Sequence, residues 1–165
     1  GASSSGQEPY TLAMVLRENF PALINWKITF IASDISQQML TRSRNGMYSQ
    51  LEVNRGLPAA LMVKYFQRVG MEWQIREDLR KLIDFRETNL CTAWPSMPKL
   101  DVIFMRNVLI YFDVNTKKTI LGKIRQAMKP DGYLFMGAAE TTMNLDDNFS
   151  RTEYQQSGCY RLKGA

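Results

Sequence analysis

The stretch LDVIFMRNVLIYFD, residues 100–113, decides the fold of this chain. It begins as a short, continuous apolar run, which is typical of a strand buried on both faces of a parallel sheet. Arg106, Asn107 and Tyr111 follow directly after that run. Ligands of open α/β sheets bind just outside the carboxyl ends of the strands. The stretch therefore predicts a core strand that leads into a ligand site, although a core strand followed by a solvated turn would give the same pattern.

The composition is that of a globular protein with one domain. Of the 165 residues, 45% are hydrophobic and 22% are charged, which is enough chain to bury a core. No apolar run approaches the ~20 residues of a membrane span, and the chain does not open with a basic and then an apolar region. Cys91 and Cys159 lie far apart and indicate no disulfide framework. A reduced, cytoplasmic setting is expected.

Charge and histidine content narrow the chemistry. The net charge of +5 permits a nucleic-acid partner, but the basic residues are scattered, and an acidic protein surface would suit them equally well. The chain contains 0 histidines. A Ser-His-Asp or Cys-His apparatus within this chain is therefore excluded, as is a histidine-based metal site. We expect no metal, no nucleic acid and no insertion into a membrane.

Two further segments supply candidate ligand contacts. Small residues up to Gly6 precede a helix that the apolar spacing predicts from about Pro9 to Phe20, and backbone N–H groups at such a helix start can approach a ligand. A flexible terminus would look similar. A β-branched run over 27–34 then ends in Asp34, before a helix that Ser36 can cap. A carboxylate at that place in a nucleotide-binding fold accepts hydrogen bonds from ribose hydroxyls, although Asp is also a common turn residue.

Residues 46–84 interrupt the alternation of strands and helices. The pattern predicts a helix over 57–68 and a half-exposed strand over 71–76, within a small inserted subdomain of antiparallel strands. Such an insert recognises a partner or forms a simple lid. The remaining expected elements are a strand over 85–90, a helix over 115–128, a strand over 132–137, and a final hairpin of 149–154 and 159–162 that turns around Gln156, Ser157 and Gly158.

Several motifs resemble one family. The segment FMRNVLIYF, residues 104–112, resembles the F-C-R-N-V-x-I-Y-F signature of the bacterial chemotaxis receptor methyltransferases (CheR). SSGQEPYT at 4–11 resembles their S-T-G-E-E-P-Y-S loop, and ASDIS at 32–36 resembles A-T-D-I-D/S. KPDGYLF at 129–135 and GAAE at 137–140 resemble L-K-P-G/D-G-Y-L-F-x-G-H-S-E, with Ala-Ala in place of His-Ser. The similarity runs in order over essentially the whole chain.

The resemblance implies a class I S-adenosylmethionine-dependent methyltransferase of bacterial chemotaxis signalling. Such enzymes methylate the side-chain carboxylate of glutamates on the cytoplasmic domain of chemoreceptors. The implied fold is α/β: a Rossmann-like, mostly parallel sheet with a C-terminal antiparallel hairpin. The insert at about 46–84 would be the family's receptor-contacting β-subdomain. The segment between Phe66 and Trp73 is short, which suggests a type that does not grip a receptor tether.

The resemblance also implies residue roles. Tyr111 and Arg106 would be catalytic, with Tyr111 facing the methyl group and the incoming glutamate. Asp34 would bind the ribose, and Asn89 and Leu90 would border the adenine. The full set of implied cofactor-binding residues is Ala2, Ser4, Gly6, Glu8, Asp34, Asn89, Leu90, Arg106 and Asn107.

Compared with the family, the chain starts in the cofactor loop. The resemblance implies that the first, central strand and an N-terminal helical domain precede it, so we expect a truncated catalytic domain with open strand edges. Either another chain supplies that strand, by strand exchange or dimer formation, or this piece is inactive. An inactive partner-binding module with the same fold is one alternative. A nicotinamide-dependent oxidoreductase is another, although the loop is not GxGxxG.

Overall fold

A computed structural model describes residues 1–154 and 157–164. The chain forms two compact units. The N-terminal unit is Ser3–Glu87, and the C-terminal unit is Gly1–Ala2 together with Thr88–Ala165. Within the described ranges, no helix is both long enough and apolar enough to cross a bilayer.

The N-terminal unit begins with helix α1 and a parallel strand pair. Gly6, at φ +84°, precedes α1, and a short 3₁₀ segment begins at Pro21. The Ser36 hydroxyl accepts from the Met39 amide and starts α2. The elements of this unit are α1 (Gln7–Asn19), β1 (Phe30–Asp34), α2 (Gln37–Asn45), β2 (Met47–Tyr48), α3 (Gln50–Val53), α4 (Ala59–Tyr65), β3 (Phe66–Val69), β4 (Glu72–Ile75), α5 (Glu77–Arg80) and β5 (Ile83–Glu87).

Strands β1 and β5 are parallel, with Ala32 opposite Phe85. Both of these residues are buried in a core that α1 covers with Tyr10 and Met14. The ring of Tyr10 meets that of Phe85 edge-on at 5.7 Å. The predicted strand over 27–34 is therefore real but shorter, because its ladder begins only at Phe30.

The inserted sheet, β2–β4–β3, is antiparallel as predicted. The predicted helix over 57–68 is wrong at its end, because α4 stops at Tyr65 and Phe66–Val69 pairs with β4. Gly70, at φ +61°, allows the tight turn between β3 and β4. Phe66 is buried beside Tyr48, with ring centroids 6.3 Å apart. The buried ring and the glycine turn together override the local helical pattern.

The C-terminal unit carries a four-stranded sheet in the order β6–β7–β9–β8. Strands β6 and β7 are parallel, whereas β9 lies antiparallel between β7 and β8. The predicted α/β class, its parallel pairs and its C-terminal antiparallel hairpin are confirmed. The turn predicted around Gln156, Ser157 and Gly158 is wrong for its last two residues, because Ser157 and Gly158 lie in β9; Gln156 lies outside the described residues. The elements are β6 (Leu100–Met105), α6 (Val114–Ala127), β7 (Met128–Met136), β8 (Phe149–Tyr154) and β9 (Ser157–Leu162).

Helix α6 closes the core of this unit. The Asp113 carboxylate accepts from the Thr116 amide at 2.9 Å and caps the helix; this bond holds the pKa of Asp113 below its usual range. Leu121, on the inner face of α6, is fully buried. It belongs to one apolar cluster with Leu134 and Met136 of β7. The helix thus fixes the strands whose carboxyl ends lead into the predicted site.

Among the described residues, strands β1 and β6 each form a ladder along one edge only. Strand β1 pairs with β5, and β6 pairs with β7. Strand exchange or dimer formation through these edges stays a prediction.

Leu121→Ala should lower the free energy of unfolding by about 2–5 kcal/mol, because it removes a fully buried side chain from close-packed surroundings. Urea unfolding measures this change. Val114→Ala is the control, since Val114 lies on the same helix and is 55% exposed; its effect should stay within about 0.5 kcal/mol. Equal losses for the two variants would contradict the assigned core.

Candidate functional site

In the N-terminal unit, the loop before α1 is tied to the carboxyl end of β1. The Ser3 amide donates to the Ser33 carbonyl at 2.8 Å. The Ser4 amide donates to Oδ2 of Asp34 at 2.8 Å, and the Ser36 amide donates to Oδ1 at 2.9 Å. Asp34 is half-buried. Its carboxylate therefore joins the loop to the start of α2.

The loop has an unusual backbone. Ala2, Ser4 and Gly6 have φ values of +53°, +48° and +84°. Residues with side chains rarely adopt the left-handed region, and such conformations concentrate at ligand sites. The Ser3 hydroxyl is buried and finds no hydrogen-bond partner among the described residues. Glu8 follows in the first turn of α1, where the helix dipole favours an acidic side chain.

In the C-terminal unit, one carboxylate organises the turn after β6. Oε1 of Glu140 accepts from the amides of Val108 and Leu109 at 2.9 and 2.7 Å. Oε2 accepts from the amides of Asn107 and Gly137 at 2.8 and 2.7 Å. Glu140 is only 8% exposed. Four backbone donors thus satisfy a buried charge and join the end of β6 to the end of β7.

This clamp determines the conformation of the predicted site residues after β6. Asn107 is held at φ +57°. A Cβ on Gly137 would lie 2.7 Å from Oε2 of Glu140 and 3.0 Å from the Asn107 amide nitrogen, so only glycine fits. Arg106 is exposed, and Tyr111 is 79% exposed at the end of a 3₁₀ turn, Leu109–Tyr111. The clamp thus leaves both predicted catalytic side chains open to solvent.

The remaining predicted residues lie near the amino-terminal end of the same unit. Ala2 packs against an apolar cluster that includes Leu90 and Met105. The Leu90 carbonyl accepts from the Lys123 ammonium at 2.8 Å. The Asn89 side chain accepts from the Cys91 amide at 2.9 Å. The segment after β5 is therefore fixed beside the end of β6.

The structure brings some of the predicted residues together and divides the whole set between the units. Ser4 and Asp34 touch directly in the N-terminal unit, which also holds Gly6 and Glu8. Ala2 and Leu90 share one cluster in the C-terminal unit. That unit also holds Asn89, Arg106, Asn107 and Tyr111. The role of each residue in binding or catalysis stays a prediction.

Glu140 holds this turn in place, a role that the sequence motifs do not predict. The sequence signal for it is its position at the end of the GAAE segment, which follows a predicted strand. Its donors, however, include backbone amides 31 to 33 residues away. Such partners leave no side-chain pattern, so only the fold reveals them.

The N-terminal unit also has a cavity of about 530 Å³, and none of the predicted site residues lines it. Its lining includes Leu16, Phe20, Trp26, Phe30 and Leu82. Across the described ranges, no group of three or more His, Cys, Asp or Glu side chains could hold a metal ion.

Residues 1–157 match the family described as CheR methyltransferase, SAM binding domain. The chain belongs to this family. Chemotaxis protein methyltransferase 1 of Pseudomonas aeruginosa is 38% identical over 167 residues, which cover 98% of this chain and 61% of that protein. The chemotaxis protein methyltransferase of Escherichia coli is 36% identical over 156 residues, covering 90% and 53%. The chain thus spans about three fifths of the length of the first curated relatives it matches.

One solved structure, the DhpI–SAH complex, is 15% identical, with a TM-score of 0.48 over 98% of this chain and 55% of that chain. The family membership rests on the sequence matches alone.

The residues of this CheR domain fit S-adenosylmethionine. The buried, unpartnered hydroxyl of Ser3 can pair with a polar group of a ligand. Each Asp34 oxygen accepts one backbone amide and can accept further donors, because a carboxylate has about four lone-pair sites. The loop has a left-handed backbone conformation at Gly6, where it leads directly into the start of α1. A buried donor, a carboxylate and a backbone-lined loop match a ligand that carries hydroxyls and an amino-acid group.

Glu140→Gln should lower the free energy of unfolding by about 3 kcal/mol, because an amide nitrogen would face backbone N–H groups that now bond a charged oxygen. Urea unfolding followed by circular dichroism measures the loss. Asp146→Asn is the control, since that side chain is 9% exposed and lies in the same unit. It accepts from Asn148 and Arg125 rather than from this turn. A Glu140→Gln variant as stable as the wild type would contradict the clamp.

Proposed function

We propose that this chain is the S-adenosylmethionine-binding, catalytic part of a protein-glutamate O-methyltransferase that acts on chemoreceptors. The observation that carries the proposal is the match of residues 1–157 to the CheR SAM-binding domain. Curated relatives with 36–38% identity are named chemotaxis protein methyltransferases. The exposed residues after β6 support the proposal, because a protein substrate needs an open site.

The reaction requires no proton transfer by the enzyme. S-adenosylmethionine supplies a methyl group on a positively charged sulfur. A glutamate side chain has a reference pKa near 4.3, so at pH 7 it is already an ionised nucleophile. The chain contains 0 histidines, which suits a reaction without a general base. The task of the protein is to align the reactants and to exclude water, which can contribute about 7–11 kcal/mol.

We assign the residues after β6 to the substrate. Arg106 and Tyr111 are both exposed, so they can reach a side chain on another protein. A guanidinium attracts and orients a carboxylate, and the Tyr111 hydroxyl can donate a hydrogen bond to it. The Glu140 clamp fixes the backbone that carries them, which lowers the cost of ordering the site.

We assign the loop before α1 and the end of β1 to the cofactor. There the Ser4 amide donates to the Asp34 carboxylate, and Gly6 follows in the same loop, directly before α1. Asp34 would accept the ribose hydroxyls while it holds the Ser4 amide. Asn89 and Leu90 would border the adenine, in a segment fixed by Cys91 and Lys123. The inserted sheet would contact the receptor.

Tritiated-methyl transfer to receptor-enriched membranes tests the proposal. A methyl ester of glutamate is base-labile, so the transferred label should be released as volatile methanol after alkali treatment. Membranes whose receptors lack the methylated glutamates serve as the control. Label that resists alkali would contradict carboxylate methylation. Binding of S-adenosylhomocysteine without any transfer would instead favour a partner-binding module.

Asp34→Ala should weaken the binding of S-adenosylhomocysteine by at least about tenfold, because it removes an ionised acceptor. The wild type should also bind an analogue without the ribose 2′-hydroxyl more weakly, and Asp34→Ala should lose that discrimination. Isothermal titration calorimetry measures all four affinities. Asp84→Ala is the control, since Asp84 is an exposed aspartate of the neighbouring strand. If Asp34→Ala discriminates between the ligands as the wild type does, the ribose assignment is wrong.

A further inference from the structure

A buried hydroxyl connects the inserted sheet to the loop before α1. Tyr48 lies on β2, at the edge of that sheet, and is only 2% exposed. Its hydroxyl donates to the Ser5 carbonyl at 2.7 Å. Burial raises the pKa of Tyr48, so the hydroxyl stays protonated and remains a donor at physiological pH. The inserted sheet therefore bonds directly to the segment assigned to the cofactor.

The preceding carbonyl of the loop, that of Ser4, also accepts a hydrogen bond from a buried hydroxyl, which lies on α2. Ser43 is fully buried, and its hydroxyl donates to the Ser4 carbonyl at 2.9 Å. The Tyr10 hydroxyl donates to the Ser43 carbonyl at 2.7 Å. A Cβ on Gly6 would lie 2.8 Å from the Ser43 hydroxyl oxygen. The loop thus rests directly on Ser43.

The hydrogen bonds to the carbonyls of Ser4 and Ser5 fix two consecutive peptide planes. Because a peptide is planar, a bonded Ser4 or Ser5 carbonyl also fixes the direction of the next N–H group. The Ser4 residue between its neighbours is held at φ +48°, a conformation that an unsupported loop would leave easily. A loop already held in one conformation loses less entropy when it binds a ligand.

We propose that Tyr48 is a positioning residue for S-adenosylmethionine, so that the inserted sheet is part of the cofactor site as well as a surface for a partner. This inference rests on the proposed function, because it takes the loop before α1 as the segment that binds the methyl donor. It adds a role for the insert that its position in the sequence does not suggest.

Tyr48→Phe tests the proposal, because it removes only the hydroxyl and keeps the buried ring. The dissociation constant for S-adenosylhomocysteine, measured by calorimetry, should rise about three- to tenfold. Tyr65→Phe is the matched control. Tyr65 is also buried in the N-terminal unit, but its hydroxyl donates to Glu18 rather than to the loop. It should lower the melting temperature and leave the dissociation constant unchanged.

Ser43→Ala is a second variant that keeps the fold, since alanine is favoured inside a helix. It should also raise the dissociation constant, through the lost bond to Ser4. Equal affinities of the wild type and Tyr48→Phe would overturn this inference and leave the proposed function intact. A weakening that Tyr65→Phe reproduces would also overturn it, because the effect would then follow stability. A wild type that fails to bind S-adenosylhomocysteine would contradict the proposed function itself.

Discussion

Four backbone N–H groups donate hydrogen bonds to the buried carboxylate of Glu140, and the conformation of the turn after β6 in the C-terminal unit depends on these bonds. A buried carboxylate without donors would be strongly destabilising, and a backbone turn at φ +57° would not hold itself. The same hydrogen bonds stabilise both the buried carboxylate and the strained turn. The charge gains four strong hydrogen bonds, and the turn gains a fixed shape. The end of β6 thereby becomes a rigid support for Arg106 and Tyr111.

The N-terminal unit uses the same principle at smaller scale. Asp34 accepts the amides of Ser4 and Ser36, one on each oxygen. The loop that it holds is again left-handed, at Ser4. In both units a carboxylate stabilises an unfavourable backbone at the carboxyl end of a strand, which is where α/β proteins bind ligands. Strained segments that are held before the ligand arrives lower the cost of binding.

The sequence predicted the parts of this structure that local pattern determines. The apolar run before Arg106 is β6, the Ser36 cap starts α2, and the apolar spacing after Asp113 is α6. The local pattern wrongly predicts helix for Phe66–Val69, because a tertiary contact with Tyr48 and a turn at Gly70 outweigh local propensity.

The residues that hold the predicted site residues in place are the ones that the sequence pattern does not predict. Glu140 and Tyr48 act on backbone N–H and C=O groups, which every residue carries and no side-chain pattern marks. Their partners are also remote, 31 residues away for Leu109 and Glu140 and 43 for Ser5 and Tyr48. The motifs of the CheR family predict which residues contact ligands. Only the fold shows which residues hold those predicted site residues in place.

Amide hydrogen exchange with and without saturating S-adenosylhomocysteine tests the central claim most directly, because it locates the bound ligand without altering a residue. The account predicts slower exchange in the loop before α1 and at the end of β1. Exchange in α6 should stay unchanged. Slowing confined to the segments that line the Phe20 and Trp26 cavity, or no slowing in the loop before α1, would contradict it.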